Sequence, residues 1–385
     1  MINKLLKRIP LDRVNWVTSS FLIGTLAIAL TVVPWYIWTY GLDWFQVMLF
    51  FCFYIATGLS ITLGYHRLFS HLSFKAKWPV KAFVLFFGAG AFENAVLEWC
   101  SDHRKHHKHV DEDDDPYDIS KGFWFAHIGW LLFKLNPEPP MDNVGDLEKD
   151  RMVMFQYRWI HLISIIAGFL LPTIIGGCYG GWISALGAFL IAGVARIVVV
   201  QQSTFCINSL CHMIGDRPYS SKCTARDSWI AALVTFGEGY HNYHHEFQHD
   251  YRNGVKPWQF DPTKWVIWLL SKVGLVSHLR RVPEVKILLA EIIEARRQID
   301  SGLKALPTDF SGYTATLVKD CQEKLEQMAV DFNQIKTELQ LMAIDKMEVS
   351  REAIQAWRRE VKEGLEVVQF LISNTSRIKK AEIRQ

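Results

Sequence analysis

Eight of the chain's 14 histidines fall in three short segments: His66-Arg67-Leu68-Phe69-Ser70-His71, His103-Arg104-Lys105-His106-His107 and His241-Asn242-Tyr243-His244-His245. In the second and third, positions i, i+3 and i+4 share one helical face, so three imidazoles can converge. The i, i+5 spacing of the first does not share a face on an ideal α-helix and is expected at a frayed helix end, where the chain bends. A single HxxHH is weak evidence, because histidines on exposed loops are common. Two copies together with HxxxxH are hard to explain as solvated surface. Eight imidazoles exceed what one metal ion accepts, so the pattern predicts a two-metal site. Imidazole suits zinc, copper, iron and nickel alike. Zinc is normally satisfied by three or four ligands and has no redox chemistry. Two ions wrapped mainly in neutral nitrogen fit a redox role, and two iron ions are the expected occupants.

The elements that must position these segments are apolar. A helix needs about 20 apolar residues to span a bilayer. Val14 to Leu42 carries no charge, nor does Trp44 to Tyr65, with Asp43 alone between them. Leu162 to Ala195 is also uncharged and is divided by Gly176-Gly177-Cys178-Tyr179-Gly180-Gly181. The reading is an all-α membrane protein with four transmembrane helices in two hairpins, at about 16–40, 44–65, 160–177 and 182–204. Pro34 and Pro172 imply kinks, which neighbouring helices tolerate in lipid. Ala82 to Phe92 is too short to span and reads as a buried or re-entrant helix. Lys4, Lys7, Arg8 and Arg13 put the N-terminus in the cytoplasm by the positive-inside rule. Two hairpins then place every histidine cluster, and both termini, on that same side, where a helical cap would hold the metals.

Composition narrows the alternatives. Half the residues are hydrophobic and 21% are charged, which suits a protein partly in lipid and partly in water. A net charge of +3 gives no argument for nucleic acid as a partner, and the basic residues beside apolar runs suit anionic lipid or an anionic substrate. Cys52, Cys100, Cys178, Cys206, Cys211, Cys223 and Cys321 form no CxxC pair and no disulfide framework. Beyond Pro283 the sequence becomes charged and helix-forming. Val318, Cys321, Leu325, Met328, Phe332, Ile335, Leu339 and Met342 follow alternating steps of three and four, a heptad seam. Residues 1–282 therefore read as a membrane domain, and 283–385 as a C-terminal, coiled-coil-like extension able to dock a partner or mediate oligomerisation.

The order HxxxxH, HxxHH, HxxHH between paired hairpins resembles the integral-membrane fatty acid desaturases, and among them the stearoyl-CoA delta-9 group. The likeness extends to Gly64-Tyr65-His66-Arg67, Asp102-His103-Arg104, Asp115-Pro116-Tyr117, His127-Ile128-Gly129-Trp130-Leu131-Leu132 and Gly237-Glu238-Gly239-Tyr240. It implies an oxygen-dependent enzyme that introduces a cis double bond into a saturated acyl chain, delta-9 and carried on CoA, with O2 as co-substrate. It implies a ninth ligand, His212, in Asn208-Ser209-Leu210-Cys211-His212, and a metal-bound water held by Asn208. Without the resemblance His212 would read as a satisfied core histidine.

The resemblance also implies substrate contacts from Asn15, Asn94, Asp102, Lys134 and Phe205. Three positions depart from the family: Ser101 stands where arginine is usual, Leu135 where lysine is usual and Phe205 where tryptophan is usual. Glu93 replaces a glutamine. Phosphate grips rest on charge-assisted bonds of Arg and Lys, so a lipid-linked carrier is an alternative to CoA unless Arg104, Lys105 and Lys108 compensate. The run from Asp111 to Asp115 reads as a solvated loop whose tail shapes the cap. Trp99, Phe123, Trp124 and Tyr240 are candidate walls of an apolar tunnel. No His-Pro-Gly-Gly and no ferredoxin-type cysteine run is present, so an external donor is implied, cytochrome b5 or ferredoxin with its reductase. A di-iron hydroxylase or alkane monooxygenase is the nearest alternative, though its first cluster is commonly HxxxH; a zinc-binding hydrolase or sensor is another. The short N-terminal extension points to a bacterial inner membrane rather than an endoplasmic reticulum.

Overall fold

The computed structural model describes residues 11–134 and 139–305, and beyond them scattered helical positions between 319 and 366. Described residues are mostly helical and fall into two compact units, Met1–Asp216 with Cys223–Arg281, and Arg217–Lys222 with Val282–Gln385.

In the first unit, α1 spans Trp16–Tyr40 and begins at Asn15, whose side chain accepts from the Thr18 amide. A three-residue turn leads to α2, which runs as an ordinary helix over Trp44–Leu59. Asp43 starts it with a capping box: its carboxylate accepts from Phe45 N, and Gln46 returns a carbonyl to Asp43 N. The helix does not fray at Tyr65. It continues over Ser60–Ser70 in a wider winding, a π-helix whose bonds reach i+5. The short apolar helix α3, Trp78–Ala89, starts with Pro79 in its first turn and leads to α4, Val96–His109.

Three helical runs are long and apolar enough to cross a membrane: Trp16–Tyr40, Trp44–Ser70 and Arg151–His212. The third has 62 residues. Straight, it would measure about 93 Å, roughly three times the hydrocarbon thickness of a bilayer. It does not stay straight, because Gly180 (φ −145°, ψ 27°) and Gly181 (φ 72°, ψ −159°) leave helical geometry. We number the two arms α5 (151–179) and α6 (182–209). The second glycine has a positive φ that a side chain would resist, and past it the chain returns along itself, with Gly176 packed on Ala188 and Ser184. The reversal lies at the end of the predicted glycine-rich break. Trp159 (φ −113°, ψ 20°) interrupts α5 near its start, separating its first turns from the apolar stretch.

Polar atoms among these apolar helices are paired, as a medium without water requires. Gln46 Nε2 donates to Tyr36 Oη at 2.8 Å, and Tyr36 Oη donates to the Ile183 carbonyl at 3.0 Å. Arg196 is fully buried; it spans three carbonyls, Ala192 (3.0 Å), Gly90 (2.6 Å) and Gly168 (2.9 Å), tying α6 to α5 and to the end of α3. Toward the histidine-bearing end follow α7 (Trp229–Val234), α8 (His241–Glu246) and α9 (Pro262–Lys272). A two-residue ribbon closes the unit, β1 (Lys75–Ala76) antiparallel to β2 (Val276–Ser277).

The second unit contains α10, Glu284–Ala305. Its buried Glu294 accepts from Ser221 N (2.9 Å) and Ser221 Oγ (3.1 Å), which is why residues 217–222 group with it. Arg358 pairs with Glu291 at 3.2 Å. The expected heptad seam, apart from Ile335, lies outside the described residues.

A Cβ at Gly187 would overlap the Gln46 amide and the Tyr36 hydroxyl, both buried. We expect Gly187→Ala to lower the unfolding midpoint in detergent, with a cost of about 1–3 kcal/mol for overpacking. An unchanged midpoint would show that these side chains move aside freely.

Candidate metal centre

The wide winding of Ser60–Ser70 resolves the odd spacing of the first cluster. At about 4.4 residues per turn, i and i+5 lie roughly 50° apart, against about 140° on an α-helix. The His71 amide donates to the His66 carbonyl at 3.0 Å, the i→i+5 bond itself. His66 and His71 therefore turn their rings to the same side. His103, His106 and His107 lie on α4, and His241, His244 and His245 on α8. His212 ends a tight turn, Leu210–His212, that follows α6.

Among the described residues these nine histidines form two groups, five (His66, His71, His103, His107, His244) and four (His106, His212, His241, His245). Within each group the candidate ligand atoms lie within 4.8 Å of one another. Each HxxHH segment contributes to both groups. All nine rings point Nε2 inward. The pairs are His66–His244 and His107–His244 at 3.0 Å, His71–His103 at 2.9 Å, His212–His241 and His241–His245 at 3.1 Å, and His106–His245 at 3.3 Å.

The outward nitrogens explain this orientation. His66 Nδ1 lies 2.9 Å from Glu238, His106 Nδ1 2.9 Å from Asp115, His103 Nδ1 3.2 Å from Tyr117 Oη and His212 Nδ1 2.8 Å from Thr224 Oγ1. A carboxylate facing Nδ1 fixes the proton there and leaves a lone pair on Nε2. Burial, then the neighbouring imidazoles, hold His71, His103, His107, His241, His244 and His245 well below the ordinary histidine pKa, so these rings are neutral. Neutral rings with converging lone pairs cannot all satisfy one another. Cations can satisfy them: bonds of about 2.1 Å at right angles put neighbouring nitrogens about 3 Å apart, the separation seen here. The donor set fits two metal ions.

Behind the rings sits a buried charge cluster. Glu238 accepts from Arg67 Nε (3.1 Å) and Nη2 (2.8 Å), and Arg67 also meets Asp261 (3.0 Å) and the Tyr251 carbonyl (2.8 Å). Burial opposes the ionised form, yet Arg67 and His66 hold the Glu238 carboxyl below its usual range. Asp115 is likewise held low against burial by His106 and the amides of Asp111 and Tyr117. The acidic run is thus only partly a solvated loop. Glu112, Asp113 and Asp114 are exposed, whereas Asp115 is buried and Asp111 half-buried. Sequence reasoning missed Glu238, Asp115, Asp111, Thr224 and Tyr117 as partners of the histidines; the only signal was that three of them stand in stretches flanking the clusters.

The remaining expected residues are spread over several elements. Asn208 is half-buried in the last turn of α6, four residues before His212. Asn15 and Lys134 come side by side: Asn15 N donates to the Leu132 carbonyl and Lys134 N to the Arg13 carbonyl, around a Val14–Phe133 bridge. Lys134 is exposed, as is Asn94, which adopts a left-handed φ of 69°. Asp102 is half-buried, and burial pushes its carboxyl up to about 7. Phe205 is buried edge-on to His127, 5.8 Å between ring centroids.

Ser101 is buried, with Oγ accepting from Met141 N at 3.2 Å. Arg104 is engaged bidentately by Asp146 at 2.6 and 2.9 Å, so it does not stand free to replace a missing phosphate contact. Leu135 lies outside the described residues. Trp99 stacks on His103 at 4.8 Å, whereas Trp124 is 73% exposed and faces away from any enclosed wall. His127 bridges Ser209 Oγ (2.9 Å) and Gln202 (3.1 Å), and His249 Nδ1 donates to the His71 carbonyl at 2.9 Å.

Paired histidine groups at the end of long apolar helices define a membrane-type metalloprotein site. A fatty acid desaturase family model matches residues 42–268, and the chain belongs to that family. It is 41% identical over 293 residues to acyl-CoA desaturase 1 of Saccharomyces cerevisiae, covering 75% of this chain and 56% of the relative. It is 40% identical over 287 residues to a probable acyl-CoA desaturase of Schizosaccharomyces pombe, covering 74% and 59%. It is 32% identical over 291 residues to stearoyl-CoA desaturase of Homo sapiens, covering 72% and 78%. The aligned part thus spans less than two thirds of the two yeast proteins.

Six depressed histidine pKa values set a pH dependence for the metal-free protein. As pH falls through about 6.5, the unfolded chain binds protons that the folded rings refuse. Stability therefore falls on acidification, by up to about 1.4 kcal/mol per pH unit for each ring. The unfolding midpoint of chelator-stripped protein should drop between pH 7.5 and 5.5. A flat profile would mean that these rings already carry protons when folded.

Proposed function

We propose that this protein is an oxygen-dependent fatty acyl desaturase with two irons, held by His66, His71, His103, His107 and His244 on one side and His106, His212, His241 and His245 on the other. The observation that carries the reading is the inward convergence of nine neutral Nε2 atoms, with several outward nitrogens pinned by Glu238, Asp115, Tyr117 and Thr224. Asn208, one helical turn before His212, is suited to hold a metal-bound water. A reduced pair of irons supplies the means to activate dioxygen for hydrogen removal from an unactivated methylene pair. In balance, one CH2–CH2 unit, O2, two electrons and two protons give one cis CH=CH unit and two waters.

The chain's own residues bind, orient and exclude water. Trp99, packed flat on His103, and Phe205, packed on His127, are apolar surfaces for an acyl chain. The names of the relatives favour a CoA thioester, and the stearoyl-CoA proteins among them favour the delta-9 position. Asn15 and Lys134, brought together by the Val14–Phe133 bridge, and Asn94 and Asp102 are the polar groups for the carrier end. Four crossings, with α5 and α6 as the second hairpin, put all nine histidines and both termini on the cytoplasmic side. Electrons come from a separate one-electron carrier, cytochrome b5 or ferredoxin.

Expression in a desaturase-deficient host tests the reading, because lipid analysis reports the new double bond and its position. We expect a monounsaturated product from wild type and none from His106→Ala, with the variant still folded in the membrane. An alcohol without alkene would assign hydroxylation instead. Zinc occupancy with oxygen-independent activity would reject the di-iron reading.

A further inference from the structure

His212 differs from the other eight histidines of the centre. It belongs to no cluster and sits on a tight turn at the end of α6. Its outward nitrogen meets no carboxylate directly. Instead Nδ1 donates to Thr224 Oγ1 at 2.8 Å, and that hydroxyl passes its own proton to Asp111 Oδ1 at 2.6 Å. The other Asp111 oxygen accepts from the Thr224 amide at 2.6 Å, so one carboxylate grips both the hydroxyl and the backbone of the same residue. Thr224 is brought alongside by chain pairing, since Arg226 N donates to the Cys211 carbonyl and Asp216 and Asp227 exchange two backbone bonds.

The circuit continues on the other side. Asp111 takes a left-handed φ of 63°, a conformation aspartate tolerates better than most residues. It turns its amide onto Asp115 Oδ2 at 3.1 Å, and Asp115 Oδ1 lies 2.9 Å from His106 Nδ1. His106 and His212 belong to the same group of four. One hydrogen-bonded path therefore joins two members of that group through three residues, Asp115, Asp111 and Thr224. The group of five is backed chiefly elsewhere, by Glu238 on His66. It meets this loop through Tyr117, whose hydroxyl lies 3.2 Å from His103.

We propose that Asp111 and Thr224 form a latch for the four-histidine position, so that its metal is retained only while the loop after α4 is closed onto the segment before α7. Asp111 and Thr224 are positioning residues; neither touches a metal or a substrate. The latch rests on the two-metal reading above. Its consequence is asymmetry: the five-histidine position keeps its metal when the latch is open.

The test is metal content and release, not turnover. Purified wild type and the variants Thr224→Val, Thr224→Ser and Asp111→Asn are loaded with ferrous iron, assayed for iron per chain and challenged with a ferrous chelator. Outer partners of ligating histidines are worth about 10–100-fold in metal affinity. Thr224→Val, which keeps the side-chain shape without the hydroxyl, should release one of its two irons about 10–100-fold more readily while the other stays as in wild type. Asp111→Asn keeps the tolerance for left-handed backbone but cannot accept on both atoms, and should fall on the same side. Thr224→Ser should restore both irons.

Elution in detergent and the unfolding midpoint show whether each variant is folded; with two independent substitutions and one rescue, a single misfolded variant leaves the comparison intact. Wild-type release from both positions in folded Thr224→Val overturns the latch, and so does equal loss from both. A wild type that binds no metal pair would instead refute the two-metal reading.

Discussion

Nine imidazoles have been taken out of water with their lone pairs turned on one another, and the rest of the membrane-type unit is arranged around that fact. Buried acceptors without donors are costly, so the arrangement is stable only if cations sit among them or the surroundings enforce it. The surroundings are built for enforcement. Glu238, Asp115, Tyr117 and Thr224 each hold an outward nitrogen. Arg67 in turn holds Glu238 and Asp261, and Asp261 accepts the amides of Asn253, Gly254 and Lys264. The tautomer of a histidine on one helix is thus decided by a carboxylate many residues away.

Helix geometry supplies what charge alone does not. An ordinary α-helix through His66 and His71 would send the two rings to different faces. The π winding of Ser60–Ser70 corrects this, and close packing accommodates the wider coil: Gly64 lies against Val84, and Tyr65 passes over Gly88. The same logic applies at Gly180 and Gly181, where two residues without side chains let α5 and α6 fold back together. In both places a local departure from α geometry moves functional side chains by many ångströms at little cost in buried polar groups.

The substrate end is organised differently from the metal end. Arg104 is committed to Asp146 and to the Ser70, Phe69 and Asn143 carbonyls, and Ser101 to the backbone of Met141. These positions brace the loop that follows residue 138 rather than presenting charge to a phosphate. Any recognition of an anionic carrier then falls to the exposed groups around the Val14–Phe133 bridge.

The amino-acid sequence by itself determined the apolar runs, the capping at Asn15 and Asp43, the glycine reversal and the grouping of eight histidines, because each follows from local periodicity or from residue type. The resemblance added His212, which local pattern would have left as an ordinary core residue. Only tertiary structure decided how the rings divide five and four, since each HxxHH helix serves both groups and spacing along one helix does not say which partner helix lies opposite. It also decided that Asp111, Asp115 and Glu238 act on the histidines. A carboxylate's role depends on what faces it after folding, and the five consecutive acids from 111 to 115 look alike until Asp115 and Asp111 are turned inward and their neighbours are left in water.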